Sequence, residues 1–162
     1  MSVPPRLTMR GMRSHQYRST LIWDGNRGEG TASYAAYGRD YRVRVDGKPE
    51  LHGSANPAFR GDASKHDPED LFLAAIASCH MLSYLALCAH GGIRVVAYED
   101  DAGGTLVLDG KGGGRFEEVT LRPRVTVAEG DAARALELHH AAHEQCFIAN
   151  SCSVPIRVEP RS

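Results

Sequence analysis

Between Tyr17 and Val45 apolar and polar positions alternate in short runs broken by glycine and aspartate. The stretch "YRSTLI" (17–22), the segment 30–37 and "YRVRV" (41–45) carry the two-residue period of half-buried strands. "WDGNRGEG" and "YGRD" between them have turn chemistry, so an antiparallel meander is predicted. The pattern then lapses. "GSANPAFRGDASKHDP" is rich in Gly, Ser, Asn, Asp and Pro and reads as a long loop or lid, a kind of segment that often carries function.

From Leu71 to Ala89 the pattern changes to 19 residues without Asp, Glu, Lys or Arg. Asp67 suits the N-cap and Pro68 the first turn. Glu69 and Asp70 put negative charge beside the unpaired N–H groups, and the helix is predicted to end at His90–Gly92 with glycine as the C-cap. The run is nominally long enough to cross a membrane. Ser78, His80, Ser83, Tyr84 and the many alanines make it a poor span and a better central helix of a core or a dimer.

Alternation resumes beyond the helix around a glycine turn, the last strand running roughly from Phe116 to Val127. A second helix is predicted from Asp131 to about Phe147, and "SVPIRVEP" supplies a final short strand. The expectation is an α+β fold in one domain over 15–162, with residues 1–14 as a loose basic tail containing Arg6, Arg10 and Arg13. That tail lacks the apolar core of a signal peptide.

Composition changes this picture little. A formal charge of -1 and a pI near 6.7 provide no long-range field for nucleic acid or an anionic membrane, so neither partner is expected. The 4 cysteines are too sparse for a disulfide scaffold, and none forms a Cys-x-x-Cys pair. A reducing, cytoplasmic setting is expected.

Helix geometry separates the cysteines. Cys88 follows Cys79 by nine residues, about 900° of rotation, so the two point to opposite faces and Cys88 reads as a small core residue. Cys79 is either packing or a reactive thiol. His80 diverges from it by about 100° and is not its base. In "LHHAAHEQC", His139, His143 and Cys146 share a face at i, i+4, i+7, which suits a transition metal or a solvated histidine face of no special role. Glu69 fits the helix dipole, and Arg27 fits an ordinary solvated loop.

Read together, "HDPEDLFLAAIASCHM", "WDGNRGEGTASY" and "AHEQCFIANS" resemble the OsmC/Ohr family of thiol-dependent peroxidases, over roughly Tyr17 to Val158. The family's Pro-Glu, apolar run and Cys keep a ten-residue interval here from Glu69 to Cys79. Its second cysteine matches Cys146, and its early loop arginine matches Arg27. The resemblance implies an OsmC-like fold, with antiparallel sheets around two long central helices in an intertwined homodimer. It also implies an organic hydroperoxide substrate, with no bound cofactor and no metal. Cys79 is then the peroxidatic thiolate and Cys146 the resolving thiol. Arg27 supplies the positive charge a buried thiolate needs, and Glu69 orients it. An external dithiol, lipoyl-type in similar enzymes, reduces the disulfide.

Many members have Cys-Pro where "CFIANSC" has Phe147, and Cys152 is an additional thiol that is a second candidate for the resolving role. Two other readings compete: a non-catalytic redox-sensing or small-molecule-binding protein on the same fold, and a metal-binding protein using His139, His143 and Cys146.

Overall fold

The computed structural model describes residues 14–161, so all of the expected basic tail but Ser14 lies outside the described residues. The chain divides into two compact units, one ending at His66 and the other beginning at Asp67.

The first unit is an antiparallel meander of β1 (Thr20–Trp23), β2 (Tyr41–Arg44) and β3 (Leu51–Gly53), in that spatial order. Two of its strands meet the expected ones, and β3 was not foreseen. The strand expected over 30–37 is absent, replaced by successive turns and bends. Glycine chemistry explains the difference. Gly28 and Gly30 have φ of 120° and 56°, conformations that end strand pairing. Both of their N–H groups donate to Asn26 Oδ1, at 2.9 and 3.0 Å. Beyond β3 the long loop includes a short 3-10 turn, Pro57–Phe59.

The second unit opens with α1 (Pro68–His90), whose start is the predicted one. Asp67 accepts from Asp70 N at 2.9 Å, the Asp70 carboxylate accepts from Asp67 N, and Gly91 forms the C-cap. There follow β4 (Arg94–Asp100), β5 (Gly103–Leu108), β6 (Gly114–Leu121), β7 (Pro123–Glu129), α2 (Ala132–Gln145), a 3-10 turn Ala149–Ser151, and β8 (Ile156–Val158). β4 pairs antiparallel with β7. β5, β6 and β8 form a second sheet, in which β6 and β8 run parallel.

The single strand expected over 116–127 is two, in different sheets. Pro123 has no N–H to continue a ladder, and Arg122 N donates instead to Asp100 Oδ1 at 2.6 Å, turning the chain from one sheet to the other.

Two apolar clusters hold this unit. Tyr84, Cys88, Ile93, Ala135, Leu138 and Ala142 pack together beside β4 and β7, while Ile76, Val119 and Leu121 pack beside Phe72, Phe116 and Ile156. The buried residues of α1 are Ile76, His80, Tyr84 and Cys88, spaced four apart along one face. By length and composition α1 could cross a membrane, and much of its remaining surface is open, with Leu82 63% exposed.

Candidate active site

The site begins with the way α1 and α2 meet. Asp131 starts α2 by accepting from Ala133 N and Arg134 N, and the helix ends at Cys146. Its buried positions Ala135, Leu138, His139 and Ala142, followed by Cys146, face inward. The stripe that buries His139 therefore brings Cys146 inward two turns later.

Cys146 is 1% exposed, whereas Cys79 is half-buried, and all four cysteines are free thiols. The Cys146 thiol interacts with Cys79. Burial foremost, and then this neighbour, push its pKa up, while the Ala149 N–H donated to its sulfur at 3.5 Å works the other way. Cys146 is thus held protonated beside a second sulfur that is more open to solvent. Such an arrangement suits a nucleophile at position 79 and a waiting thiol at 146. Cys88 belongs elsewhere: it is buried at 1% exposure beside Tyr84, and burial raises its pKa.

One residue from Cys79 the same helices meet through imidazoles. His80 Nε2 and His139 Nδ1 are 3.1 Å apart, the rings lie nearly parallel at 9°, and Tyr84 stacks on His139 with centroids 3.9 Å apart. With the rings 0% and 4% exposed, burial lowers both pKa values to about 4, helped at His80 by His139 and His143. His80 Nδ1 has no hydrogen-bond partner. A pair of neutral rings shares one proton at this contact, so one ring donates and the other accepts.

This pairing corrects the solvated histidine face expected on α2, because His139 is core and only His140 is fully open. It also removes the metal set. His139 faces His80 and Cys146 faces Cys79, and among the described residues no group of three His, Cys, Asp or Glu side chains is placed to hold a metal ion. The stack itself was missed in the sequence; the only trace was the four-residue spacing from Ile76 through His80 to Tyr84.

Glu69 stands half-buried in the first turn of α1, ten residues and about 15 Å along the axis before Cys79, because the helix is continuous. The two do not come together on this helix. Arg27 lies exposed in the first unit, on a loop whose backbone is closely fixed. Gly38 N donates to Gly25 O at 2.7 Å and Trp23 Nε1 to Gly38 O at 2.8 Å. A Cβ on Gly25 would lie 1.8 Å from Gly38 O, so only glycine permits this crossing.

The family model for OsmC-like protein matches residues 61–161. An OsmC-like protein of unknown function from Vibrio cholerae has a similar structure, with 30% identity, a TM-score of 0.82, and cover of 91% of this chain and 100% of that one. An organic hydroperoxide resistance protein from Elizabethkingia anophelis has 17% identity and a TM-score of 0.69, covering 93% and 98%. OhrB of Bacillus subtilis, also an organic hydroperoxide resistance protein, has 22% identity and a TM-score of 0.62, covering 91% and 98%. No curated protein matches the chain.

Proposed function

The chain belongs to the OsmC-like family, and from that premise we propose that it is a thiol-dependent peroxidase that reduces organic hydroperoxides in cytoplasmic defence against oxidative stress. The observation that carries the reading is the meeting of the Cys79 and Cys146 thiols between α1 and α2. The names of the Elizabethkingia and Bacillus structures support the substrate class.

In this reading the Cys79 thiolate attacks the outer peroxide oxygen, the O–O bond breaks, and the alkoxide leaves as the alcohol after taking a proton. Cys79 becomes a sulfenic acid. Cys146, kept as a thiol by burial, attacks that sulfur and displaces water to form the Cys79–Cys146 disulfide. An external dithiol, of the lipoyl type, restores both thiols. Arg27 supplies positive charge to the thiolate and to the peroxide oxygens, and Glu69 holds the guanidinium by a two-pronged hydrogen bond.

The continuous α1 helix, with about 15 Å between Glu69 and Cys79, calls for a second copy of the chain to complete this constellation. A homodimer also covers open apolar positions of α1 such as Leu82.

Steady-state consumption of cumene hydroperoxide with a dithiol donor tests the reading. The expected result is turnover that exceeds turnover with hydrogen peroxide, together with a Cys79–Cys146 crosslink after one equivalent of oxidant. Oxidation of Cys79 without turnover would identify a redox sensor instead.

A further inference from the structure

The fourth thiol is linked to the second through one residue. Ala149 N donates to Cys146 Sγ at 3.5 Å, and the Cys152 S–H donates to Ala149 O at 3.6 Å, so both sulfurs hang on the same 3-10 turn. Their exposures differ. Cys146 is sealed at 1%, whereas Cys152 is half-buried and lines a cavity of about 420 Å³ with Phe72, Arg115, Phe116 and Val154. Phe72 precedes Cys79 by seven residues, two turns of α1, and so lies on the same face about 10 Å along the axis. The cavity therefore flanks the stripe that carries Cys79, and the three thiols form one cluster: Cys79 on Cys146, and Cys146 on the turn that carries Cys152.

Thiol–disulfide exchange requires the attacking sulfur to reach the sulfur it displaces. In a Cys79–Cys146 disulfide the Cys146 sulfur is buried while Cys79 stays half-open, and Cys152, on the turn that holds Cys146, opens onto the cavity, so a dithiol seated in the cavity meets Cys152 before Cys146. We propose that Cys152 is an exchange thiol, which moves the disulfide from Cys79–Cys146 to Cys146–Cys152 and receives electrons from an alkyl dithiol bound against Phe72 and Phe116. This rests on the peroxidase reading for the origin of the disulfide.

The chemistry balances. Cys152 gives its proton to solvent and attacks Cys146 Sγ; the Cys146–Cys152 bond forms, the Cys79–Cys146 bond breaks, and Cys79 leaves as the thiolate that meets the next peroxide. One thiolate of the dithiol then attacks Cys152 Sγ, and Cys146 departs and takes a proton. The second thiol of the reductant closes on the first, releasing Cys152 and a cyclic disulfide. Two electrons pass from dithiol to protein, and no other oxidant or reductant takes part. A disulfide needs Cα atoms about 4.4–6.8 Å apart. Between Cys146 and Cys152 the turn Ala149–Ser151 has no buried residue, and closing the bridge breaks its hydrogen bonds from Asn150 to Glu144 O and from Ser151 to Phe147 O.

Two arms test the proposal. In Cys79→Ser, incubated with lipoamide disulfide and no peroxide, peptide mass spectrometry should find a Cys146–Cys152 bridge. In Cys79→Ser/Cys146→Ser the reagent should be trapped as a mixed disulfide at Cys152 when iodoacetamide caps its newly freed thiol before the ring recloses. In the otherwise intact protein, Cys152→Ser should lower turnover with dihydrolipoamide at least tenfold and accumulate the Cys79–Cys146 disulfide, with Cys152→Ala behaving alike and circular dichroism confirming that both fold. Failure of Cys79→Ser to form the bridge, or wild-type turnover in Cys152→Ser, overturns the exchange role. A bridge in Cys79→Ser combined with no hydroperoxide consumption by the wild type leaves the exchange standing and overturns only the peroxidase reading.

Discussion

Two polar contacts join α1 to α2, and they begin at consecutive residues. Cys79 meets Cys146 at the half-open edge of the helix pair, while His80 meets His139 beneath Tyr84, where both rings are buried. A step of 100° around one helix separates a thiol that a small molecule can reach from an imidazole that cannot gain a proton cheaply. Residue type alone would have ranked the histidines as the more reactive pair. Burial reverses that order: it holds the histidines neutral and structural and leaves the more exposed sulfur as the chemically available group.

The sharpest way to break the comparison is Cys79→Ser. If the thiol contact is the reacting one, hydroperoxide turnover falls to background in the dithiol-coupled assay while the thermal midpoint moves little; residual turnover above about 1% would move the chemistry to another cysteine. Arg27→Lys should follow, with at least a tenfold loss of single-turnover peroxide reduction and slower iodoacetamide alkylation of Cys79 at neutral pH. Lysine keeps the charge but not the planar fork. Wild-type alkylation by this variant would make Arg27 an ordinary loop residue.

Acid probes the other contact. The folded pKa values of His80 and His139, about 4, lie below the 6.5 of an ordinary histidine, so between these values the unfolded chain binds more protons than the folded one. Stability from the neutral rings is complete above about pH 6.5, falls as pH drops, and is gone below about 4. Because the rings share one hydrogen bond they lose this stability together, on the order of a few kcal/mol for the pair. Urea unfolding at pH 7, 5.5 and 4.5 measures it. His139→Phe, which keeps the stack on Tyr84 but cannot be charged, should flatten the curve while leaving His80 Nε2 without its partner. A curve equally steep in that variant would place the acid sensitivity elsewhere.

The smallest effect is expected at Cys88→Ala. Loss of one buried sulfur should cost about 1 kcal/mol in urea unfolding and leave hydroperoxide turnover at the wild-type level. Loss of turnover would mean that the opposite face of α1 takes part after all.

What could be read from the sequence follows the range of the physics. α1 was legible end to end because its cap, charges, apolar run and glycines are local signals that agree. Residues 30–37 were misread as strand because alternation there is outweighed by the positive φ of Gly28 and Gly30 and by the Asn26 side chain. The break at Pro123 was missed because apolar periodicity continues through it. The meeting of Cys79 with Cys146 was available only through family resemblance, and the His80–His139 stack not at all. Both join residues some sixty positions apart, and no local pattern encodes a long-range contact.

The capping box at Asp67 also sets a phase. Counted from that fixed start, Cys79 is the twelfth residue after the cap, and its direction toward α2 depends on that count. An extra residue within 54–66 is absorbed before the count begins. One inserted between Leu71 and Ser78 turns everything beyond it by about 100°, so that either the cap or the thiol loses its place. The spacing from cap to cysteine is thus constrained in length even where the intervening side chains are free to vary.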